Sequence, residues 1–205
     1  MAKHSAVDPD EPTTKSEQTR KRLREGAMAS FSELGFHGTG TRHIATAAGM
    51  SPAAVYVHYS SKEELLFEIS LAGHEAILRI VRDAAAGTDD PVEQLRRFIR
   101  EFAMYHADRH VSARVVNYEL RALEPDHRAQ IVDLRKQIED VLAAILHRGI
   151  DQGVFDTPDP RMAAVAIVGS SVDVARWFRD GGTWSTTQVA DFYADAALRI
   201  AGAKS

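Results

Sequence analysis

The segment GMSPAAVYVHYSSKEELL, residues 49–66, carries three side chains capable of chemistry within four positions: Tyr56, His58 and Tyr59. On a helix, Val55 and Tyr59 lie one turn apart and share a face, so Tyr56 and His58 point elsewhere. Exposed phenol and imidazole groups can pack against a neighbouring helix, form a catalytic pair, or contact a partner outside the chain. The segment alone leaves these three roles open.

A second pair of side chains, His106 and His110, has the i, i+4 spacing at which two imidazoles can bind one metal ion if the helix continues between them. Asp108 or Glu119 could add a carboxylate, which would make the chain an all-helical metal-binding protein or an enzyme. Because no third ligand has a fixed spacing from the pair, we expect no metal ion and no cofactor. No nucleophile–base arrangement is present, so no catalytic residue is predicted.

The composition is that of a globular protein, with 44% apolar and 26% charged residues in a chain of 205. No apolar run approaches the ~18 residues that a membrane span requires, and the N-terminal segment has no apolar signal-peptide core. The chain contains no cysteine, which excludes disulfides, thiolate catalysis and cysteine zinc sites. We therefore expect a cytoplasmic protein without a membrane partner.

The charge is distributed unevenly along the chain. Residues 15–62 contain seven Lys and Arg against three Glu, a net charge of +4, whereas residues 63–205 contain 17 Lys and Arg against 23 Asp and Glu, a net charge of −6. A basic segment that binds a polyanion, followed by an acidic effector module, would produce this asymmetry.

The periodicity predicts an all-α chain of about nine helices, because apolar residues recur at three and four positions and no segment alternates. A polar segment over residues 1–14 is predicted to be a disordered tail. The first helix should carry Leu23, Ala27, Phe31 and Leu34 on one face and stop at Gly35. The later helices are expected at about 41–48, 52–59, 62–86, 91–108, 112–123, 126–152, 160–180 and 186–201.

Start signals support several of these boundaries. Thr41 is expected to cap the second helix, and Ser51 followed by Pro52 should open the third. Ser61 and Glu64 form a predicted capping box for the fourth helix.

The sequence RHIATAAGMSPAAVYVHY has the spacing of a helix-turn-helix. Ala45 precedes Gly49 by four residues and Val55 follows it by six, which places a small residue, a flexible turn and an apolar residue where two helices cross. Ile44 and Ala48 would complete this core. The second helix of such a motif enters the major groove of DNA.

These residues resemble the DNA-binding domain of TetR-type regulators. The resemblance covers residues 16–66, through the basic first helix, Gly35-Phe36, the motif from Thr41 to Gly49, Val55-Tyr56-x-His58-Tyr59 and Lys62-Glu63-Glu64-Leu65. It implies a DNA-binding domain at 15–62 and an effector-binding and dimerisation domain at 63–205. The residues implied to contact DNA are Thr41, Arg42, Ser51, Pro52, Ala53, Ala54, Tyr56, His58 and Lys62, whereas Tyr59 is expected in the core.

In the second domain, the family resemblance implies an effector cavity and a dimer interface built by the last two helices. The stretch from Arg176 to Gly182 also resembles regulators of lipid and steroid catabolism, some of which respond to acyl-CoA. Val168 and Val172 depart from the arginine and tryptophan with which such proteins hold CoA, which leaves a smaller apolar effector open. The candidate effector-binding residues are Phe98, Phe102, Tyr105, His106, Tyr118, Arg121, Leu142 and Trp177.

Together these features predict a homodimeric repressor that binds palindromic operator DNA and is released by an apolar or acyl-type effector. Two alternatives remain: the metal-binding protein or enzyme based on His106 and His110, and a constitutive DNA-binding protein without an effector.

Overall fold

A computed structural model describes residues 14–204 of the chain. This part contains nine α-helices, a single 3₁₀ turn at Leu120–Ala122 and no strand, which confirms the predicted all-α class. The helices are α1 (Lys15–Gly38), α2 (Thr41–Ala47), α3 (Pro52–His58), α4 (Lys62–Ala86), α5 (Pro91–Asp108), α6 (His110–Tyr118), α7 (Pro125–Asp151), α8 (Pro160–Trp177) and α9 (Thr186–Ile200). Among these residues no helix combines the length and the apolar character that crossing a membrane requires.

The chain divides into two compact units that meet within α4, between Leu65 and Leu66. The predicted domain boundary, between residues 62 and 63, lies three residues earlier. Of the predicted disordered tail, residues 1–13 lie outside the described part of the chain. Thr14 does not belong to a tail: it caps α1, and its hydroxyl and the Glu17 carboxylate form a reciprocal capping box.

The core of the first unit consists of the apolar residues that the spacing predicted. Leu23, Ala27 and Phe31 of α1 are buried, as are Ile44, Ala45 and Ala48 of the second helix and its turn, and Val55 of α3. Burying each of the larger side chains contributes about 1.5–3 kcal/mol. Tyr59, the residue after α3, is also fully buried, as expected.

The end of α1 differs from the prediction. Gly35 has φ 69°, which breaks the regular helix where a stop was expected, but one more turn follows as far as Gly38. This break turns the chain so that Phe36 is buried with its ring centroid 5.5 Å from that of Phe31. Leu34, which was expected in the core, is therefore exposed.

Most of the predicted helix starts are confirmed by hydrogen bonds. Ser51 Oγ accepts from the Ala54 N–H, and Ser61 Oγ accepts from the Glu64 N–H. Thr41 is a correction: it is the first residue of α2, and the cap is Gly40, whose N–H donates to Nδ1 of His43.

The second unit has one large apolar core made by the inward faces of α4, α5, α7, α8 and α9. Leu95, Phe98, Ile99 and Phe102 form the buried stripe of α5, at the spacing of three and four that predicted it. The predicted helix at 112–123 was misplaced: α5 ends at Asp108, and α6 begins at His110 and ends at Tyr118.

Candidate functional site

The turn between α2 and α3 is built by glycine. Gly49 has φ 65°, a conformation that glycine adopts without strain, and the Met50 N–H donates to the Ala45 carbonyl at 2.8 Å. Gly26 of α1 lies so close to α2 that a Cβ on it would sit 2.8 Å from the Ala48 nitrogen and 2.9 Å from the Ile44 oxygen. The position of α2 against α1 thus requires a residue without a side chain at 26, which the sequence analysis missed.

The outer face of α3 is open to solvent while its inner face is closed. Val55 is buried, whereas Ser51, Pro52 and Ala53 at the N-terminal end are exposed and Ala54 is half-buried. Val57, which the sequence analysis did not select, is 78% exposed and lies on the same helix. The N-terminal edge offers methyl and ring carbons and the Ser51 hydroxyl, which suits apolar contact with thymine methyl groups more than bidentate hydrogen bonding.

The two aromatic side chains that opened the question have separate environments. Tyr56 is exposed, and its hydroxyl lies 3.2 Å from Oγ1 of Thr41, which joins the start of α2 to α3. His58 is half-buried at the end of α3, where its carbonyl accepts from Arg20 at 3.1 Å. Arg42 is exposed on α2. Two hydroxyls, an imidazole and a guanidinium therefore lie on α2 and α3.

Three basic side chains of this unit are bound to the chain's own carbonyls at the ends of helices. Arg20 donates to His58 at the end of α3, and Arg22 donates to Ala48 at 2.7 Å at the end of α2. Lys62 Nζ donates to Phe36 and Thr39, both at 2.8 Å, at the end of α1. Cations at these ends satisfy unpaired carbonyls and interact favourably with the helix dipole.

Lys62 therefore differs from the expectation that it points to an external phosphate. A cation is unfavourable in the first turn of its own helix, α4, so the sequence offers Lys62 no stabilising contact within that helix. In the structure the ammonium reaches back to the C-terminal end of α1 instead, and it lies 4.4 Å from the Phe36 ring centroid. We do not retain Lys62 among the candidate phosphate contacts.

The candidate effector-binding residues fall into two groups. Phe98, Phe102 and Leu142 are buried in the core of the second unit, with Tyr105 packed against it. His106 is also buried, with its ring 4.4 Å from that of Phe102. These five candidate residues therefore lie next to one another in the core of the second unit.

The remaining three candidates lie apart from this core. Tyr118 is exposed and its hydroxyl donates to the Asp173 carboxylate at 3.1 Å, and Arg121 is exposed in the 3₁₀ turn. Trp177 is the last residue of α8 and lines a surface groove with Trp184. Arg109, whose backbone is not helical, separates α5 from α6, so Tyr118 does not lie on the helix that carries Phe98 and Phe102.

The same break removes the geometry on which the metal-binding alternative depended. His106 belongs to α5 and His110 to α6, so the pair does not share one continuous helix. Nδ1 of His110 bonds to the Ala107 carbonyl at 3.0 Å, and its ring packs against Phe178. Within residues 14–204, no three histidine or carboxylate side chains are grouped closely enough to hold a metal ion.

Helices α8 and α9 expose large apolar side chains. Met162, Val165 and Phe192 are between 62% and 65% exposed, and Trp184 follows at 58%. Trp177, Trp184 and Phe192 line a groove of about 360 Å³ together with Gln188, Val189 and Tyr193. Exposed apolar patches of this kind are common where proteins bind other molecules.

Known proteins match both units. The family model for bacterial regulatory proteins of the tetR family matches residues 23–69, and the tetracyclin repressor-like C-terminal domain matches residues 88–201. The transcriptional repressor KstR2 of Mycobacterium tuberculosis is 32% identical over 179 residues, which are 85% of this chain and 88% of KstR2.

Solved structures agree with these sequence matches. A tetR-family regulatory protein from Rhodococcus RHA1 superimposes with a TM-score of 0.87 at 37% identity, over 94% of this chain and 100% of that one. The ketosteroid transcriptional regulator KstR2 of Mycobacterium tuberculosis superimposes with a TM-score of 0.82 at 27% identity, over 90% of this chain and 95% of that one.

Proposed function

Because the chain belongs to the TetR family of bacterial regulators, we propose that it is a ligand-responsive repressor that binds palindromic operator DNA as a homodimer. The observation that carries the proposal is the outer face of α3, which is exposed from Ser51 to Val57 while Val55 anchors the helix to the core. A helix held in this way can enter the major groove.

Within each half-site, base contacts and phosphate contacts are assigned to different residues. Ser51, Pro52, Ala53 and Ala54 lie nearest the bases, where methyl contacts with thymine read the sequence together with the exposed Arg42, which contacts both a phosphate and a base edge. In addition, Thr41, Tyr56 and His58 hold the phosphates, which fixes the position of the helix without reading bases. Because so few hydrogen-bonding groups face the bases, DNA shape contributes to specificity.

The homodimer is proposed to form through α8 and α9. Their exposed side chains Met162, Val165 and Phe192 would lose contact with water against the same surface of a second copy. Two copies related by a twofold axis present two copies of α3 to half-sites one DNA turn apart, roughly 34–36 Å.

The effector is proposed to be a small apolar or acyl-type molecule that enters the body near Phe98, Phe102 and His106. A ligand releases the repressor only if it binds the conformer that does not fit DNA more tightly than the one that does. The similarity to a ketosteroid regulator supports an apolar effector. The chain is proposed to act on DNA in the cytoplasm and to catalyse no reaction.

Selection of bound DNA from a random pool tests this proposal with the full chain. We expect a palindromic consensus whose binding weakens steeply as salt rises, because bound cations release counterions from DNA. Repeating the selection with octanoyl-CoA and with decan-1-ol should identify a ligand that releases the DNA. Salt-independent retention, or no enrichment at low salt, would contradict DNA regulation, and DNA binding that no ligand changes would favour a constitutive DNA-binding protein.

A double variant, Tyr56→Phe with His58→Ala, tests the phosphate assignment. We expect weaker binding to all DNA sequences with dimerisation intact, since both residues face the backbone. The matched control is Val57→Ala, on the same helix, which should leave the affinity nearly unchanged because the Val57 side chain cannot hydrogen-bond to a phosphate. Loss of folding in the double variant would show that the two residues are structural.

A further inference from the structure

A cluster of buried polar side chains lies in the body of the second unit, and no step of the proposed DNA binding uses it. We call Ser70, His74, Tyr105 and His106 the polar cluster. Ser70, His74 and His106 are at most 4% exposed, and Tyr105 is half-buried. Polar groups buried among apolar ones are costly unless they are hydrogen-bonded, so each of them requires an account.

The Ser70 hydroxyl has no hydrogen-bond partner in the described part of the chain. Among the buried side-chain polar atoms of residues 14–204, its Oγ alone makes no hydrogen bond. Ser70 and His74 are one turn apart on α4, so the hydroxyl and the imidazole share a face of that helix. An unpaired hydroxyl beside an imidazole is ready to bond to a group from outside.

The two imidazoles have a defined hydrogen-bonding sense. Nδ1 of His74 lies 2.8 Å from the Ser70 carbonyl, and Nδ1 of His106 lies 2.8 Å from the Phe102 carbonyl. Because a carbonyl only accepts, Nδ1 carries the proton in both rings and Nε2 presents a lone pair. Both rings are therefore positioned to accept a hydrogen bond at Nε2.

The charge state agrees with this assignment. Burial lowers the pKa of His74 to about 4 and that of His106 to about 4, against the smaller opposing effect of the backbone bonds. Repulsion from Arg135 of α7 lowers both pKa values further, and His74 also lowers that of His106. At neutral pH the rings are uncharged, and the cluster offers two acceptors and one hydroxyl.

The side chains around the polar cluster are mostly apolar. The Tyr105 hydroxyl donates to the Gly73 carbonyl at 3.2 Å, which ties α5 to α4 at the cluster. A Cβ on Gly73 would lie 3.5 Å from the nearest atom of Val116, so the glycine leaves room for a methyl group there. The Phe102 ring packs against His106. A molecule that reached the cluster would meet mainly carbon.

We propose that the polar cluster binds the hydrogen-bond-donating end, a hydroxyl or an amide N–H, of an otherwise apolar effector. The inference rests on the proposed function, in which the body binds an effector. A carboxylate has no proton to donate to the two Nε2 lone pairs and is repelled by them, whereas Arg135 of α7 attracts it, so decanoate is included among the probes. A metal ion is disfavoured, since within the described residues no third ligand joins the two imidazoles.

Binding of matched probes to the full chain tests this proposal by calorimetry. The probes are decan-1-ol and 1-methoxydecane, menthol and its methyl ether, and decanoate. Each ether keeps the oxygen as an acceptor but cannot donate. We expect at least one alcohol to bind roughly three- to tenfold more tightly than its ether, the effect of one hydrogen bond, and decanoate to bind less tightly than decan-1-ol.

Variants then assign the preference to the cluster. His74→Leu removes one Nε2 acceptor and should reduce the alcohol-to-ether ratio toward one. Ser70→Ala removes a hydroxyl that can donate to the oxygen of either probe, so it should weaken alcohol and ether alike and leave their ratio unchanged. His147→Leu is the matched control, because His147 makes the same bond from Nδ1 to a carbonyl one turn earlier but is exposed. If His74→Leu fails to fold, His106→Leu, which removes the other Nε2 acceptor, is measured in its place.

Three results would overturn the proposal: neither alcohol exceeds its ether, decanoate binds most tightly, or His74→Leu and His106→Leu both keep the wild-type ratio. The DNA selection separates this failure from failure of the proposed function. A chain that binds operator DNA and releases it with a ligand, yet shows no alcohol preference, contradicts only the polar cluster. A chain that does not bind DNA at low salt contradicts the function itself.

Discussion

Substitution of Gly26 by alanine should destabilise the first unit, although alanine is the better helix former. Within α1, replacing glycine by alanine favours the helix by about 0.8–1.0 kcal/mol. Here the new Cβ would lie 2.8 Å from the Ala48 nitrogen and 2.9 Å from the Ile44 oxygen. These are backbone atoms that cannot rotate away, so overpacking costs about 1–3 kcal/mol. We expect a net loss of up to about 2 kcal/mol.

Gly73→Ala is the matched control, because it makes the same change in the middle of α4. Its Cβ would lie no closer than 3.5 Å to any neighbouring atom, an ordinary contact. The helix propensity should then act alone and stabilise the protein by up to about 1 kcal/mol. The two glycines thus predict opposite signs for one chemical change, with a difference of about 1–3 kcal/mol, the overpacking cost at Gly26.

The assay is urea denaturation followed by circular dichroism, with hydrogen–deuterium exchange to locate the effect. Gly26→Ala should raise exchange in α1 and α2, and should weaken operator binding in protein that is still folded, because α2 carries α3 with it. If Gly26→Ala stabilises the protein as much as Gly73→Ala, the close approach of α1 and α2 does not set the position of the recognition helix.

Three further outcomes follow from the structure. Lys62→Met should cost about 1.5–3 kcal/mol in urea denaturation, since two carbonyls lose a charged donor; an unchanged midpoint would contradict the internal role. Gly169→Ala should stabilise α8 by up to about 1 kcal/mol, because no atom lies within 4 Å of the new Cβ. It should also weaken the proposed dimer in analytical ultracentrifugation, because Gly169 is exposed one turn after Val165; an unchanged dimer would place the interface elsewhere. The pKa values of His74 and His106 are lowered to about 4 in the folded state, against about 6.5 for an ordinary histidine. Below about pH 6.5 the unfolded chain therefore binds more protons than the folded one. Stability should therefore fall as pH drops from about 6.5 toward 4, by up to about 1.4 kcal/mol per unit for each ring, whereas a flat profile of urea midpoints would mean that the rings are not buried neutral.

Local features of the fold could be predicted from the sequence because their causes lie within a few residues. Ser51 and Pro52 set the start of α3, and Gly49 is the glycine that the turn before it requires. Ile44 and Val55 were placed in the core by spacing alone. Each of these predictions depends on a short stretch of backbone geometry.

Features that depend on distant contacts could not be predicted in this way. Lys62 reaches carbonyls 23 and 26 residues earlier, which reverses the conclusion drawn from its own helix. The contact of Gly26 with α2 is invisible in a pattern of apolar residues. Ser70 looks like an ordinary helical serine in the sequence, and only the packed body shows that its hydroxyl has no partner.

The charge of residues 15–62 also has a different meaning once the contacts are known. If all seven cations bound phosphate, the logarithm of the DNA affinity would fall with the logarithm of the salt concentration at a slope of about −6 per protomer. However, Arg20, Arg22 and Lys62 donate to carbonyls at the ends of helices, and Arg24 donates to the Tyr59 hydroxyl at 3.4 Å. These cations stabilise the helix-turn-helix itself.

The cations left for phosphate are exposed and belong to α1 and α2: Lys15, Lys21 and Arg42. The slope should therefore be about −3 per protomer, half of what the charge count suggests. Fluorescence anisotropy of a labelled operator across a salt series measures it, and Arg42→Gln should reduce it by about one, as a lost phosphate contact does. Lys62→Met should leave the slope unchanged. A wild-type slope near −6, or a decrease of one in Lys62→Met, would return the helix-end cations to the DNA surface.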